Sequence, residues 1–260
     1  TFIFLNSWSQ VVINEYTAAN YNNFQDNYNE YEDWVEFYNP TTGNIDLNGY
    51  YLSDKENNLT KWQFTSSFVV PANGHSIVFF SGRDEIAGEA HTSYKLHQTK
   101  GNEWIILTNP NGVTVEDSVW VKRCQANHSR GREINGSANW GVFDTPTPNG
   151  NNINSFLGYA EKPVFSLNGG YFTGSVNIDI NSTSATNTIY YTDNGDFPTN
   201  ATNLYTNQLT FNNTTILKAR CYSSNPQILP GFIEFHTFFV NDNHTLPIIS
   251  ISGSDVDNLL

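Results

Sequence analysis

The sequence predicts an all-β chain, folded as two consecutive β-sandwich domains joined by a short linker. Three observations lead there. From residue 11 onward, short apolar segments broken by Gly, Asn and Pro recur at strand spacing, and no helical period is sustained. One segment, Asp33-Trp34-Val35-Glu36-Phe37-Tyr38-Asn39-Pro40, places bulky β-formers at successive positions, which demands cover on both faces and marks a central strand. In Thr145-Pro146-Thr147-Pro148-Asn149-Gly150-Asn151-Asn152 turn formers displace the pattern, and a second series of apolar segments follows.

Taken in order, residues 1–9 open with the apolar Phe2-Ile3-Phe4-Leu5 and continue with Ser7-Trp8-Ser9, small residues at the positions a signal peptidase reads. They are expected to be the end of a secretory leader, with Gln10 as the mature start, or else an edge strand. Residues 11–152 form the first domain, with strands expected at 11–16, 34–39, 50–53, 62–64, 76–81, 104–108 and 118–121. Asn109-Pro110-Asn111-Gly112 between two of them is a hairpin signal. Residues 153–162 are the expected linker. The second domain, 163–241, contains the alternating Val176-Asn177-Ile178-Asp179-Ile180, and a tight turn at Asp193-Asn194-Gly195, where Asn and Gly accept positive φ at little cost. Residues 242–260 begin a further apolar segment.

Composition narrows the function. Net charge is −13, from 25 acidic against 12 basic residues, which opposes the clustered Lys and Arg that a phosphate backbone requires. Nucleic acid is therefore excluded as the expected partner. No apolar run approaches the roughly 18 residues of a membrane-spanning helix. Charged residues make up only 14%, against about 25% in typical domains, so Asn, Ser and Thr carry much of the solvation, as suits an exported protein. Cys124 and Cys221 fall in different domains and are expected to be reduced packing residues.

The chemistry of an enzyme is missing from the pattern. The six histidines are scattered without zinc spacing, and the sequence has no Gly-x-Ser-x-Gly elbow, Ser-x-x-Lys pair or phosphate-cradling glycine loop. No catalytic residue is assigned. Glu36, set inside a two-sided strand, needs a cationic or hydrogen-bonding partner or a bulge that turns it to water, and Arg132 in Ser129-Arg130-Gly131-Arg132 is the expected partner, forming a structural ion pair. The stretch 21–33 gathers Asp26, Glu30, Glu32 and Asp33, candidates for holding Ca2+, although they lack the order of an EF-hand loop and a solvated, ion-free loop is the competing expectation. The same stretch carries Tyr21, Phe24, Tyr28 and Tyr31, aromatics beyond the needs of a core and the first choice for a surface that recognises sugar or protein.

The ordered set Val11-Val12-Ile13-Asn14-Glu15, Asp33 to Asn39, Asp46-Leu47-Asn48-Gly49-Tyr50-Tyr51-Leu52-Ser53-Asp54, Trp62-Gln63-Phe64, Tyr94-Lys95-Leu96, Glu116-Asp117-Ser118, Ser129-Arg130-Gly131-Arg132 and Thr147 to Asn152 closely resembles the lamin tail domain. That resemblance implies an immunoglobulin-like β-sandwich over about residues 11–152. The tyrosine- and asparagine-rich stretch 21–31 departs from the family pattern. Pro163-Val164-Phe165-Ser166-Leu167-Asn168-Gly169-Gly170-Tyr171-Phe172, with Tyr191-Thr192-Asp193-Asn194-Gly195-Asp196-Phe197-Pro198-Thr199, resembles the C-terminal immunoglobulin-like domain of chitobiase and β-hexosaminidase enzymes. Leu246-Pro247-Ile248-Ile249-Ser250-Ile251-Ser252 resembles the start of a CotH-type kinase-like domain. Together the resemblances imply a secreted or surface-displayed bacterial protein whose non-catalytic modules serve adhesion, scaffolding or presentation of a following domain. Two alternatives stand beside this: a targeting arm for a CotH-like kinase encoded after residue 260, and a carbohydrate-binding appendage of a polysaccharide-degrading enzyme. Protein or carbohydrate at the cell surface is the expected partner, and no cofactor other than Ca2+ is expected.

Overall fold

The protein is described from a computed structural model, which places residues 10–86, 88–242 and 248. The leader or edge strand expected at 1–9 lies outside these residues, as does nearly all of the expected further segment 242–260. The chain divides into two compact units, Thr1–Phe156 and Leu157–Leu260.

The first unit contains β1 (Val12–Thr17), β2 (Trp34–Tyr38), β3 (Ile45–Asp46), β4 (Tyr51–Ser53), β5 (Trp62–Gln63) and β6 (Val69–Val70). It continues with β7 (His75–Phe79), β8 (Ala90–His91), β9 (Trp104–Thr108), β10 (Val115–Trp120), β11 (Ser129–Arg132) and β12 (Trp140–Phe143). One sheet runs in the order β12-β11-β1-β2-β7-β8 and a second in the order β10-β9-β4-β5. β2 is interior to its sheet, as its apolar sequence predicts. The inward faces of the two sheets share one core, in which Ile13, Val35, Phe37 and Val78 from the first meet Leu52, Ile105 and Leu107 from the second. Each such side chain contributes about 1.5–3 kcal/mol on burial. All seven strands expected in this unit are present to within a few residues at each end. β3, β6, β8, β11 and β12 were not expected, because two- to four-residue strands leave no readable alternation.

A bulge in β1 organises the opposite face of the first sheet. Ile13 pairs with Phe37 and Glu15 with Glu36, so Asn14 is the extra residue. Without it, Ile13 and Glu15, two apart, would point to the same face. The bulge sends Ile13 into the core and turns Glu15 to the other side with Glu36.

The second unit contains β13 (Gly158–Tyr159), β14 (Val164–Phe165), β15 (Gly170–Phe172), β16 (Val176–Ile178), β17 (Ile180–Asn181) and β18 (Asn187–Thr192). β19 (Asn203–Leu204), β20 (Leu209–Phe211), β21 (Thr215–Ser223), β22 (Ile228–Leu229) and β23 (Glu234–Val240) complete it. Its main sheet has the order β15-β23-β21-β18-β19. β21 alternates as a one-sided strand should: Leu217, Ala219 and Cys221 face the core with no exposed surface. Between them, Lys218 holds its Nζ 4.6 Å from the centre of the Phe197 ring. Cys124 and Cys221 are both buried. The stretch expected as a linker, 153–162, holds one bridge and one two-residue strand. Phe156 bridges Val142 in the first unit, and β13 pairs in parallel with β22 in the second. A parallel pairing to a strand some seventy residues away leaves no local signature.

A candidate recognition site and a buried carboxylate row

The outward face of the first sheet is covered at two places, each by a segment rich in Asn. Over its centre lies a cross-strand row running Glu36, Glu15, Gly131, Gly141 through β2, β1, β11 and β12. Both carboxylates are fully buried. A Cβ at Gly131 would stand 2.9 Å from Asn152 Nδ2 and 3.0 Å from Asn14 O, and one at Gly141 2.8 Å from Phe156 O. The glycines thus let the returning chain, 147–156, lie directly on the row.

That segment supplies neutral donors in place of cations. Thr147 donates through N to Glu15 Oε1 (3.0 Å) and through Oγ1 to Oε2 (2.6 Å), and Ser129 Oγ donates to Glu15 Oε1. Asn149 N donates to Glu36 Oε2 (2.6 Å) and Asn14 Nδ2 to Glu36 Oε1 (3.0 Å). Asn152 Nδ2 donates in turn to Asn14 O (3.2 Å) and Arg132 O (2.6 Å). Burial, and to a smaller extent the neighbouring Glu15, push the Glu36 carboxyl up to about 8; burial also raises Glu15. His75 Nε2 lies 3.9 Å from Glu36 Oε1 but accepts a hydrogen bond from Asn135 Nδ2 (2.9 Å), and burial lowers its pKa. It is a neutral neighbour and not a counterion.

The expected ion pair between Glu36 and Arg132 is therefore not formed. The residue of β11 in the Glu36 row is Gly131, so Arg132, one position on, projects from the other face. There its Nη2 pairs with Asp117 Oδ2 (2.8 Å) and its Nε donates to Ile13 O (2.7 Å). Asp117 also accepts from Ile13 N (2.8 Å), so the pair closes the bulge.

The second covering segment is the loop 18–33. Asn20 ties its two ends together: Nδ2 donates to Phe24 O (2.6 Å) and Glu32 O (2.9 Å), while Oδ1 accepts from Phe24 N (3.2 Å) and Asn23 N (3.3 Å). Asn127 Oδ1 accepts from both Tyr21 N and Asn22 N at 2.9 Å. Phe24 stacks on Phe79 at 5.9 Å and meets the edge of Trp34 at 6.0 Å, so it closes the outer side of β2 and β7. Of the aromatics expected to form a recognition surface, Phe24 is therefore spent on packing.

The acidic residues of this loop are gathered, but around cations of the chain itself. Arg83 Nη1 pairs with the buried Asp26 at 3.2 Å, and its Nη2 pairs with Glu30. Lys95 Nζ donates to both oxygens of Glu32 at 3.0 and 3.1 Å. Asp26 Oδ1 accepts from Tyr28 N and Glu30 N, both at 2.9 Å, and the Tyr28 ring lies under the Arg83 guanidinium at 4.3 Å. Asp33 stands apart from Arg83 and accepts from Asn20 N (3.1 Å); burial pushes its carboxyl up to about 7. Among the described residues no group of three or more His, Cys, Asp or Glu is arranged to hold a metal ion. The expected Ca2+ quartet is thus divided, with three members neutralised by Arg83 and Lys95. Neither cation was assigned to these carboxylates from the sequence, because each lies fifty or more residues from the loop.

Tyr21 and Tyr31 remain. They are 67% and 42% exposed and line a cleft of about 200 Å3 with Asn20, Glu32, Asp33 and Lys95. Among the described residues lining this cleft, none is a Ser or Cys nucleophile with an adjacent base.

Two all-β modules without catalytic machinery are what the fold and site define. Residues 6–122 match the family model of the Lamin Tail Domain, and residues 167–227 match that of the Chitobiase/beta-hexosaminidase C-terminal domain. The chain therefore carries a lamin tail domain followed by a chitobiase/hexosaminidase C-terminal domain, both immunoglobulin-like and non-catalytic. No curated protein and no solved structure matches the chain. β11, β12 and segment 147–156 lie beyond the first matched range, yet they complete the first sheet and cover its carboxylates.

Proposed function

We propose that this chain is a non-catalytic adhesion or scaffold segment of a larger exported bacterial protein, and that it targets or presents a domain that follows it. The observation that carries this reading is the contrast inside the first unit. Its buried carboxylates Glu15 and Glu36 are held by internal hydrogen bonds, whereas the loop tied by Asn20 and Asn127 leaves Tyr21 and Tyr31 exposed to solvent. Exposed tyrosines offer large contact area at the cost of only two side-chain torsions each, as recognition surfaces require. Protein or carbohydrate at the cell surface is the class of partner this fits.

The test is to fuse a reporter enzyme after Leu260 and measure its retention on immobilised cell-envelope protein and on insoluble polysaccharide. Retention on either surface above that of the reporter alone is expected. Retention on neither would overturn the reading.

A further inference from the structure

We propose that the cleft bounded by Tyr21 and Tyr31 binds one neutral sugar residue of a glycan, with the two rings as platforms and Glu32, Lys95 and Asp33 as hydrogen-bonding groups. This rests on the reading of the chain as a targeting segment and specifies the ligand of its first unit.

Three features of the site lead to a sugar. The first is size: about 200 Å3 is below the roughly 300 Å3 at which pockets for drug-sized ligands begin, and suits a single ring with its neighbours in solvent. The second is chemistry. The lining alternates aromatic surface with polar groups already fixed in place: Lys95 holds both Glu32 oxygens, and Asp33 is held by Asn20 N. A sugar ring presents apolar C–H faces and equatorial hydroxyls, and so uses both kinds of surface. The third is charge. Lys95 offsets Glu32, and burial keeps much of Asp33 protonated near neutral pH, so the cleft offers little net field to an ion. The chain as a whole, at −13, repels acidic glycans.

Preorganisation strengthens the case. Asn127 Oδ1 holds the backbone N–H of Tyr21, and Asn20 ties Phe24 to Glu32 through their carbonyls, so both ends of the loop are fixed. The loop backbone that carries Tyr21 and Glu32 is therefore fixed before a ligand arrives, which lowers the ordering cost of binding. Tyr28 is engaged by Arg83 and Glu85, outside this cleft.

Calorimetric titration of the full 260-residue chain with hexasaccharides of β-1,4-linked glucose, N-acetylglucosamine, xylose and mannose, and with a polygalacturonate hexamer as the acidic comparison, tests the proposal. At least one neutral hexasaccharide should bind and the acidic one should not. Tyr21→Ala and Tyr31→Ala should each weaken that binding about tenfold or more, at unchanged melting temperature, while Trp120→Ala, an exposed aromatic elsewhere on the unit, should change it less than about twofold. Tyr21→Phe should retain most of the affinity, because the ring face and not the hydroxyl makes the contact. Binding of none of the neutral probes, preference for the acidic one, or binding that survives the Tyr21→Ala/Tyr31→Ala double variant would overturn the proposal. If the reporter fusion is retained on envelope protein while every neutral hexasaccharide fails, the sugar site is wrong and the targeting role stands.

Discussion

Two groups of carboxylates lie on the same face of the first sheet and are neutralised in opposite ways. Glu15 and Glu36 are fully buried and meet only neutral donors from Asn14, Ser129, Thr147 and Asn149. Asp26, Glu30 and Glu32 belong to the covering loop, Asp26 buried and Glu30 exposed, and are tied to the partly exposed Arg83 and Lys95. The difference follows from solvation. Bringing a Lys or Arg into the covered row would add a second desolvation cost of several kcal/mol, whereas amides and hydroxyls enter at much lower cost and burial raises the carboxyl pKa instead. At the loop, Arg83 and Lys95 stay in contact with water while they pair, so the cost of bringing in the cation is lower. The row fastens the returning segment; the loop shapes a surface.

The largest break in this comparison should come from Gly131→Val, whose side chain would meet Asn152, Asn14 and Phe143 within about 3 Å. It should lift segment 147–156 and lower unfolding stability by about 3 kcal/mol, read from urea denaturation of the first unit. An unshifted midpoint would mean that the segment is not held on the row. Asn152→Ala removes the donor to Asn14 O and Arg132 O and should cost about 2 kcal/mol by the same measurement.

The pH response separates the two groups next. Glu36 titrates at about 8 in the fold against 4.5 for an ordinary glutamate. Between these values the folded chain retains a proton that the unfolded chain has released, so unfolding free energy falls as pH rises. The contribution is fully present below about pH 4.5 and lost once the pH has passed 8. Melting temperature should accordingly decline from pH 5 to pH 9, and Glu36→Gln should flatten part of that decline, leaving the parts due to Asp33 and Glu15. A decline equally steep in the variant would remove Glu36 as its source.

Smaller effects belong to the loop. Arg83→Ala leaves Asp26, Glu30 and Glu32 with less compensation and should cost about 1 kcal/mol or less, more at low salt than at high. A loss that does not respond to salt would show that Arg83 acts through packing on Tyr28. Because Arg83 and Lys95 already occupy the carboxylates, calorimetric titration of the native chain with Ca2+ should give no binding heat; a saturable heat would show that the ion displaces them.

Much of this architecture was legible in the residues. Trp34, Val35, Phe37 and Tyr38 announced a strand covered on both sides, and β1, β4, β5, β7, β9 and β10 followed from apolar runs between turn formers. Tyr21 and Tyr31 were marked as surplus aromatics. Phe24 and Tyr28, alike in sequence, turned out to be committed to Phe79 and Trp34 and to Arg83. The partner of Glu36 was misread because strand parity depends on register, and register with β11 depends on a bulge at Asn14 that no local pattern displays.

The sequence by itself determined the all-β class, the division into two modules and the absence of a catalytic motif, because alternation, turn chemistry and composition act over a few neighbouring residues. Only the tertiary structure decided which carboxylate meets a cation and which meets an amide, and which tyrosines reach solvent. Those outcomes depend on groups fifty to more than a hundred residues apart meeting in one row or one cleft, and on how much water is left there when they do.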